Sequence, residues 1–170
     1  IMSGMSITDE RKKTIAFSKE YLPVDPSLYV VAKGVQFDWS KLEGKSIGVQ
    51  TETIQSAFAE EKYGKSNIIR SYDSVDQTIA ELMAGNLDIV LADKDILQPI
   101  VDASEGTMEF AGPVEIINGG MGVGIGMRQN AAELHQKINK ARVLPKENSQ
   151  VDQLIAQYFE GKGPFYKMRR

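Results

Sequence analysis

The sequence predicts an α/β fold built on an open, largely parallel sheet. Three features carry that prediction. Short apolar, β-branched runs alternate with helix-length segments. Those segments open on hydroxyl residues and close on glycine or asparagine. The composition, 42% hydrophobic and 25% charged over 170 residues, is that of a globular chain long enough for one ordinary domain or two small lobes.

Each element has its own reason. Lys45–Gln50 (KSIGVQ) is short and β-branched, as in a buried strand. TIQSAFAEEKYG follows as a helix, with Thr53 as N-cap and Gly64 as stop. Ser66–Tyr72 is a second strand. SVDQTIAELMAGN carries a capping-box pattern at Ser74 and Gln77. It places Val75, Ile79, Leu82 and Met83 on one face and ends at Gly85-Asn86. Leu87–Asp93 is the clearest buried strand. This β-α-β-α-β order implies parallel pairing, with ligands outside the carboxyl ends of the strands, where Asp93 lies. Farther on, Gly122, Gly124 and Gly126 alternate with Val123, Ile125 and Met127, as in a strand with one smooth face. A helix from about Asn130 has Leu134, Ile138 and Ala141 on one face, with Pro145 as its stop. SQVDQLIAQYFEG reads as another amphipathic helix and KGPFYKMRR as a basic tail. Near the start, Thr8 caps a short helix with Asp9 and Glu10 in its first turn. Ile1 and Met2 read as the end of a buried strand, so a fragment or processed chain is expected. Linkers at Pro23–Ser27 and Asn118–Gly120 suggest two lobes joined by two crossings.

Composition narrows the function. A net charge of −3 gives no basic footprint for nucleic acid. No apolar run approaches the ~20 residues that span a bilayer. With no cysteine, disulfides and thiol catalysis are excluded. The single histidine, His135, cannot build a triad or metal site alone. No carboxylate pair has metal-binding or glycosidase spacing, and neither metal nor cofactor is expected. The glycines between Gly119 and Gly126 fit a strand better than a phosphate loop, which needs a strand-to-helix turn. Two residues stay open on position alone. Asp93 is either a helix cap or a carboxylate that holds an ammonium. Arg11 is either a solvated charge or a planar fork gripping a carboxylate at two points.

Longer motifs then carry a resemblance. SGMSITDERKKTIAFSKEYL, LEGKSIGVQTETIQSAF, LMAGNLDIVLAD, FAGP and GMGVGIGMRQNAAELHQKINKA occur in that order. Together they resemble the periplasmic amino-acid-binding proteins of ABC importers, the type II solute receptors, in the lysine/arginine/ornithine, histidine and opine-binding branch. The resemblance covers nearly the whole chain. It implies a type II periplasmic-binding-protein fold with lobe one (1–25 and 121–170) incomplete and lobe two at 26–120. Arg11 would clamp the ligand α-carboxylate with help from Ser6, and Ser3 and Gly4 would line the same wall. Thr53 and the Ile54 amide would meet the carboxylate at a helix start. Asp93 would hold the α-ammonium, and Gln55 would lie near the side-chain pocket. The implied function is capture of a free amino acid, cationic or opine-type, between two lobes and its delivery to the membrane permease, without enzymatic chemistry. The implied location is periplasmic, or extracellular and lipid-anchored, with a signal peptide in the precursor. A receptor sensor domain and a dehydratase-like enzyme are the alternatives on this fold. Glu52 stands where relatives often have glycine, and Pro145 interrupts a helix that relatives continue. The family's first strands, which carry side-chain selectors, are not in this sequence. The chain alone is therefore expected either to self-associate through its incomplete lobe or to require its missing N-terminal piece, and not to bind amino acid tightly.

Overall fold

The computed structural model describes residues 1–117, 121–147 and 153. It divides into two compact units, residues 1–24 with 120–170 and residues 25–119.

The second unit is a five-stranded sheet covered on both faces. Its strands are β2 (Ser27–Ala32), β3 (Ser46–Gln50), β4 (Ile68–Tyr72), β5 (Ile89–Asp93) and β6 (Met108–Glu115), in the order β4-β3-β5-β2-β6. Its helices are α2 (Ile54–Tyr63), α3 (Val75–Met83) and α4 (Lys94–Asp102). The β3–β4 and β3–β5 pairs are parallel, whereas β2 pairs antiparallel with both β5 and β6. The expectation of a largely parallel sheet is corrected accordingly. The three predicted strands are mutually parallel, and the sequence reading missed the two antiparallel ones. The signal for β2 was present: Leu28–Ala32 is an apolar, β-branched run bounded by Pro26 and Gly34.

Strand periodicity sorts the core into two layers. Tyr29, Val31, Ile47, Val49, Ile89 and Leu91 face one way and pack with Ala59 and Tyr63 of α2. Val30, Val90 and Ala92 face the other way and pack with Val75 and Leu82 of α3 and Leu97 of α4. Helix caps follow the sequence closely. Thr53 Oγ1 accepts from the Ser56 amide and Ser74 Oγ from the Gln77 amide. The Gln77 side chain reaches back to the Asp73 amide at 3.0 Å rather than to Ser74. At the end of β6, Glu115 accepts from the Tyr29 hydroxyl at 2.9 Å and from Lys62 Nζ at 2.6 Å, which satisfies a polar group at the edge of the core.

In the first unit, α1 (Asp9–Lys12) is capped by Thr8 as predicted. Strand β1 (Ile15–Phe17) pairs antiparallel with β7 (Gly126–Arg128). The predicted glycine strand is shorter than expected: only Gly126 onward is strand, and Val123 makes isolated bridges to Ser6 and Leu22. The smooth face has a packing reason. A Cβ on Gly122 would stand 2.3 Å from the Leu22 carbonyl oxygen, and one on Gly124 would stand 3.0 Å from Ile7 side-chain carbons. Ile1 and Met2 are exposed and outside any strand, correcting the buried-strand reading, although Ile1 exchanges two backbone hydrogen bonds with Gly126. Helix α5 (Ala132–Glu147) runs past Pro145, which is therefore not its stop. His135 is a tie within this unit, its Nε2 lying 2.9 Å from the Phe17 carbonyl oxygen. The predicted last helix and basic tail lie outside the described residues, save Gln153.

Candidate functional site

In the first unit the predicted residues gather around α1. Thr8 Oγ1 accepts from the Arg11 amide at 2.9 Å and so fixes the short helix. The half-buried Arg11 side chain turns back, and Nη1 donates to the Ser6 carbonyl at 3.0 Å. Ser6 is itself held by its bridge to Val123. Arg11 and Ser6 are thus brought together, and the guanidinium is oriented rather than simply solvated. Gly4 adopts φ +70°, and its amide donates to the Tyr21 hydroxyl at 3.2 Å. Ser3 is exposed beside it. An open cavity of about 420 Å³ in this unit is lined by Ile7, Lys12, Ile15, Phe17, Glu20 and Met121 and contains none of the predicted site residues.

In the second unit the site grows out of strand period. Asp93 follows Ile89 and Leu91 at two-residue steps, so its side chain falls on the α2 face of the sheet. Gln55, one turn before Ala59 on the inner face of α2, is buried. Its Nε2 donates to Asp93 Oδ1 at 2.5 Å and to Ser27 Oγ at 2.9 Å. The Ser27 hydroxyl in turn donates to Asp93 Oδ1 at 3.4 Å. Asp93 occupies the N-cap position of α4 yet makes no side-chain capping bond. The cap reading left open by the sequence therefore does not describe this side chain. Burial pushes the Asp93 carboxyl above its ordinary pKa, the Ser27 and Gln55 hydrogen bonds pull it down, and the charge of Asp95 pushes it up, with the net shift upward.

Gln55 was expected near a ligand side chain. The structure gives its amide nitrogen to Asp93 and Ser27, making it the residue that aims the carboxylate. Ser27 was missed altogether. Its signal was its place opposite Asp93 in the β2–β5 register, which becomes visible only once β2 is known to be a strand.

The other part of this half is the start of α2. Thr53 Oγ1 accepts from the Ser56 amide and donates to the Gln50 carbonyl at 2.7 Å, so its hydroxyl hydrogen is committed locally. The helix start still offers a positive dipole end beside the half-buried Ile54. Glu52, just before it, has φ +59°, the left-handed region that disfavours side chains and suits glycine. A glycine, which the resemblance places there, would adopt this backbone conformation without strain. Glu52→Gly is expected to hold the unfolding midpoint or raise it slightly, whereas Glu52→Val, β-branched and more crowded at the same φ, lowers it. Denaturant titration of both variants checks that order, and a valine variant as stable as the glycine variant would contradict it.

Among the described residues no group of histidine, cysteine or carboxylate side chains could hold a metal. No described helix is long and apolar enough to cross a membrane.

With a mixed sheet in one unit and the chain leaving and re-entering the other, the fold is that of the type II periplasmic binding proteins. A periplasmic His/Glu/Gln/Arg/opine family-binding protein from Silicibacter pomeroyi, in complex with lysine, superimposes with a TM-score of 0.80 at 35% identity, over 92% of this chain and 67% of that one. The family of bacterial extracellular solute-binding proteins, family 3, matches residues 1–161, and the chain belongs to it. The histidine-binding periplasmic protein of Salmonella typhimurium strain LT2 is 33% identical over 173 residues, covering 94% of this chain. The lysine/arginine/ornithine-binding periplasmic protein of Escherichia coli K12 is 32% identical with the same coverage. The chain spans 64% of the length of these two relatives.

Proposed function

We propose that the protein captures an α-amino acid with a cationic or opine-type side chain outside the cytoplasm and hands it to an ABC-transporter permease, by binding alone and without covalent chemistry. The two units are read as the two lobes of the family. Arg11 of the first is the counter-ion of the ligand α-carboxylate, with Ser3, Gly4 and Ser6 beside it. The start of α2 at Thr53 and Ile54 adds a second anion-favouring group. Asp93 of the second is the counter-ion of the α-ammonium, and Gln55 aims it.

One observation carries this reading. A carboxylate at a helix N-cap position forgoes capping and is instead held by Gln55 and Ser27 at the end of a sheet strand. That geometry suits an ammonium partner, because it leaves acceptor capacity on a partly desolvated charge. The named ligands of the relatives, histidine, lysine, arginine and ornithine, support the side-chain class.

Calorimetric titration with lysine, arginine, ornithine, histidine, octopine, glutamate and leucine tests the reading. It is made on the 170-residue chain and on the product of its whole reading frame. The basic amino acids or the opine bind with the lowest Kd. Affinity falls as pH falls through the raised Asp93 pKa, because the carboxylate then loses the charge that holds the ammonium, while arginine keeps its own. The loss begins at a pH above the ordinary carboxylate value. Preference for glutamate or leucine overturns the side-chain assignment, and a flat pH profile overturns the role of Asp93.

A further inference from the structure

A helix start presents about four backbone amides without helical partners. An aspartate at the N-cap position ordinarily takes one of them, the amide of the second or third helical residue. In α4 those residues are Asp95 and Ile96, and the N-cap residue is Asp93, with extended backbone at φ −63° and ψ 141°. The Asp95 amide is already taken. It donates to Asp25 Oδ2 at 2.9 Å, and the Lys94 amide donates to the neighbouring Pro26 carbonyl at 2.9 Å. Asp25 and Pro26 arrive there because Ser27, the first residue of β2, pairs with Asp93. The segment entering β2 is thereby laid across the start of α4.

The N–H that an N-cap aspartate ordinarily serves is thus held by Asp25, and Asp93, at the N-cap position, makes no capping bond. From this geometry we infer that Asp25 is a positioning residue for Asp93: by capping α4 from the preceding strand's entry, it releases the Asp93 carboxylate to Gln55, Ser27 and the ligand. The inference rests on the reading of Asp93 as the ammonium anchor only for its functional consequence. The capping exchange stands without it.

The charge balance fits a residue kept for geometry. Burial pushes the Asp25 carboxyl up to about 6; the Asp95 amide bond lowers it, the charges of Asp95 and Asp93 raise it, and Lys94 lowers it. A carboxyl whose folded pKa is raised stabilises most when protonated, and that contribution is lost as pH rises from its unfolded value through about 6. At neutral pH its charge is therefore unfavourable. A neutral acceptor of the same shape should cap equally well without that cost, whereas a methyl group should not cap at all.

The test compares Asp25→Asn with Asp25→Ala. Both remove the charge, and only the first keeps an oxygen for the Asp95 amide. Carboxyl-carbon NMR titration of Asp93 and the side-chain amide resonances of Gln55 are followed without ligand. In Asp25→Ala, Asp93 swings to the Asp95 amide, its pKa drops below that in Asp25→Asn, and the Gln55 resonances shift as their acceptor leaves. Amino-acid affinity then falls about five-fold, the loss expected when a capping bond must be broken before the ligand is met. In Asp25→Asn the Gln55 resonances and the affinity stay within about two-fold of the parent. Identical Asp93 titration and Gln55 resonances in the two variants overturn the inference, whatever the ligand does. Should Asp25→Ala unfold, Asp25→Gly, which also lacks the acceptor, takes its place in the same comparison. If Asp93→Asn binds amino acids as tightly as the parent, the ammonium reading fails separately, and the ligand-free resonances still decide whether Asp25 does the capping.

Discussion

Asp93→Asn is expected to weaken amino-acid binding ten-fold or more while leaving the unliganded protein as stable as the parent, or more so. A charge-assisted hydrogen bond is worth roughly 1.5–3 kcal/mol, and each 1.4 kcal/mol is about ten-fold in Kd. Stability moves the other way for a reason visible in the fold. Burial raises the Asp93 pKa, so the native state holds a proton there more tightly than the unfolded chain does. The stabilising contribution of the group is greatest when protonated and is lost as pH rises through the raised pKa, which makes the bare carboxylate unfavourable at neutral pH. Asparagine removes that cost and keeps the shape. Arg11→Ala should weaken binding to a similar degree, and the unliganded protein then gives up the hydrogen bond to the Ser6 carbonyl. Calorimetry with arginine and lysine, paired with denaturant unfolding of each variant, separates the two effects. Parent-like affinity in both variants removes these anchors from the site; a large loss of stability in Asp93→Asn shows that the carboxylate serves the fold instead.

Gly112→Ala should be among the most disruptive single-atom additions in the second unit, costing about 2–4 kcal/mol. Gly112 has φ +73°, where a side chain costs about 1–2 kcal/mol. It also lies under an indole. An added Cβ would stand 2.5 Å from Trp39 Cε2, closer than non-bonded carbons approach. The ring cannot give way freely, since it packs 4.7 Å from Tyr29, centroid to centroid, and Tyr29 is fully buried in the α2-side core. Displacing it forfeits an aromatic interaction of about 0.5–1.5 kcal/mol. Trp39 is the only tryptophan in the chain, so its emission reports this place alone. Unfolding at lower denaturant with red-shifted Trp39 emission is the expected result. Unchanged emission and midpoint would mean that β6 at Gly112 and the ring above it accommodate a methyl group.

Gly112 belongs to the FAGP motif, and its environment shows what sequence reading reaches and where it stops. The motif was legible, but its cause was not, because the indole that requires glycine is 73 residues away in sequence. Local chemistry was read well. Thr53, Ser74 and Thr8 cap the helices they were expected to cap, because capping needs only a hydroxyl three residues before the amide it serves. Strands β3 and β5 were found because both of their faces are buried and leave continuous apolar runs, whereas β4, at the sheet edge and largely exposed, leaves only Ile68-Ile69. Pro145 was misjudged as a stop from local propensity, and the antiparallel β2 and β6 were missed although the bounded apolar run of β2 was there to read.

By itself, then, the sequence determined the α/β class, the caps of α1, α2 and α3, a net charge that gives no basic footprint for nucleic acid, and the motifs that mark the family. Tertiary structure decided the rest. The entry of β2 beside β5 sets Ser27 against Asp93 and lays Asp25 across α4, which turns a candidate helix cap into an oriented carboxylate. The reason is one of range. A cap joins residues three apart, whereas the side chain that claims an amide from 70 residues away is fixed only when the strands between them have chosen their partners.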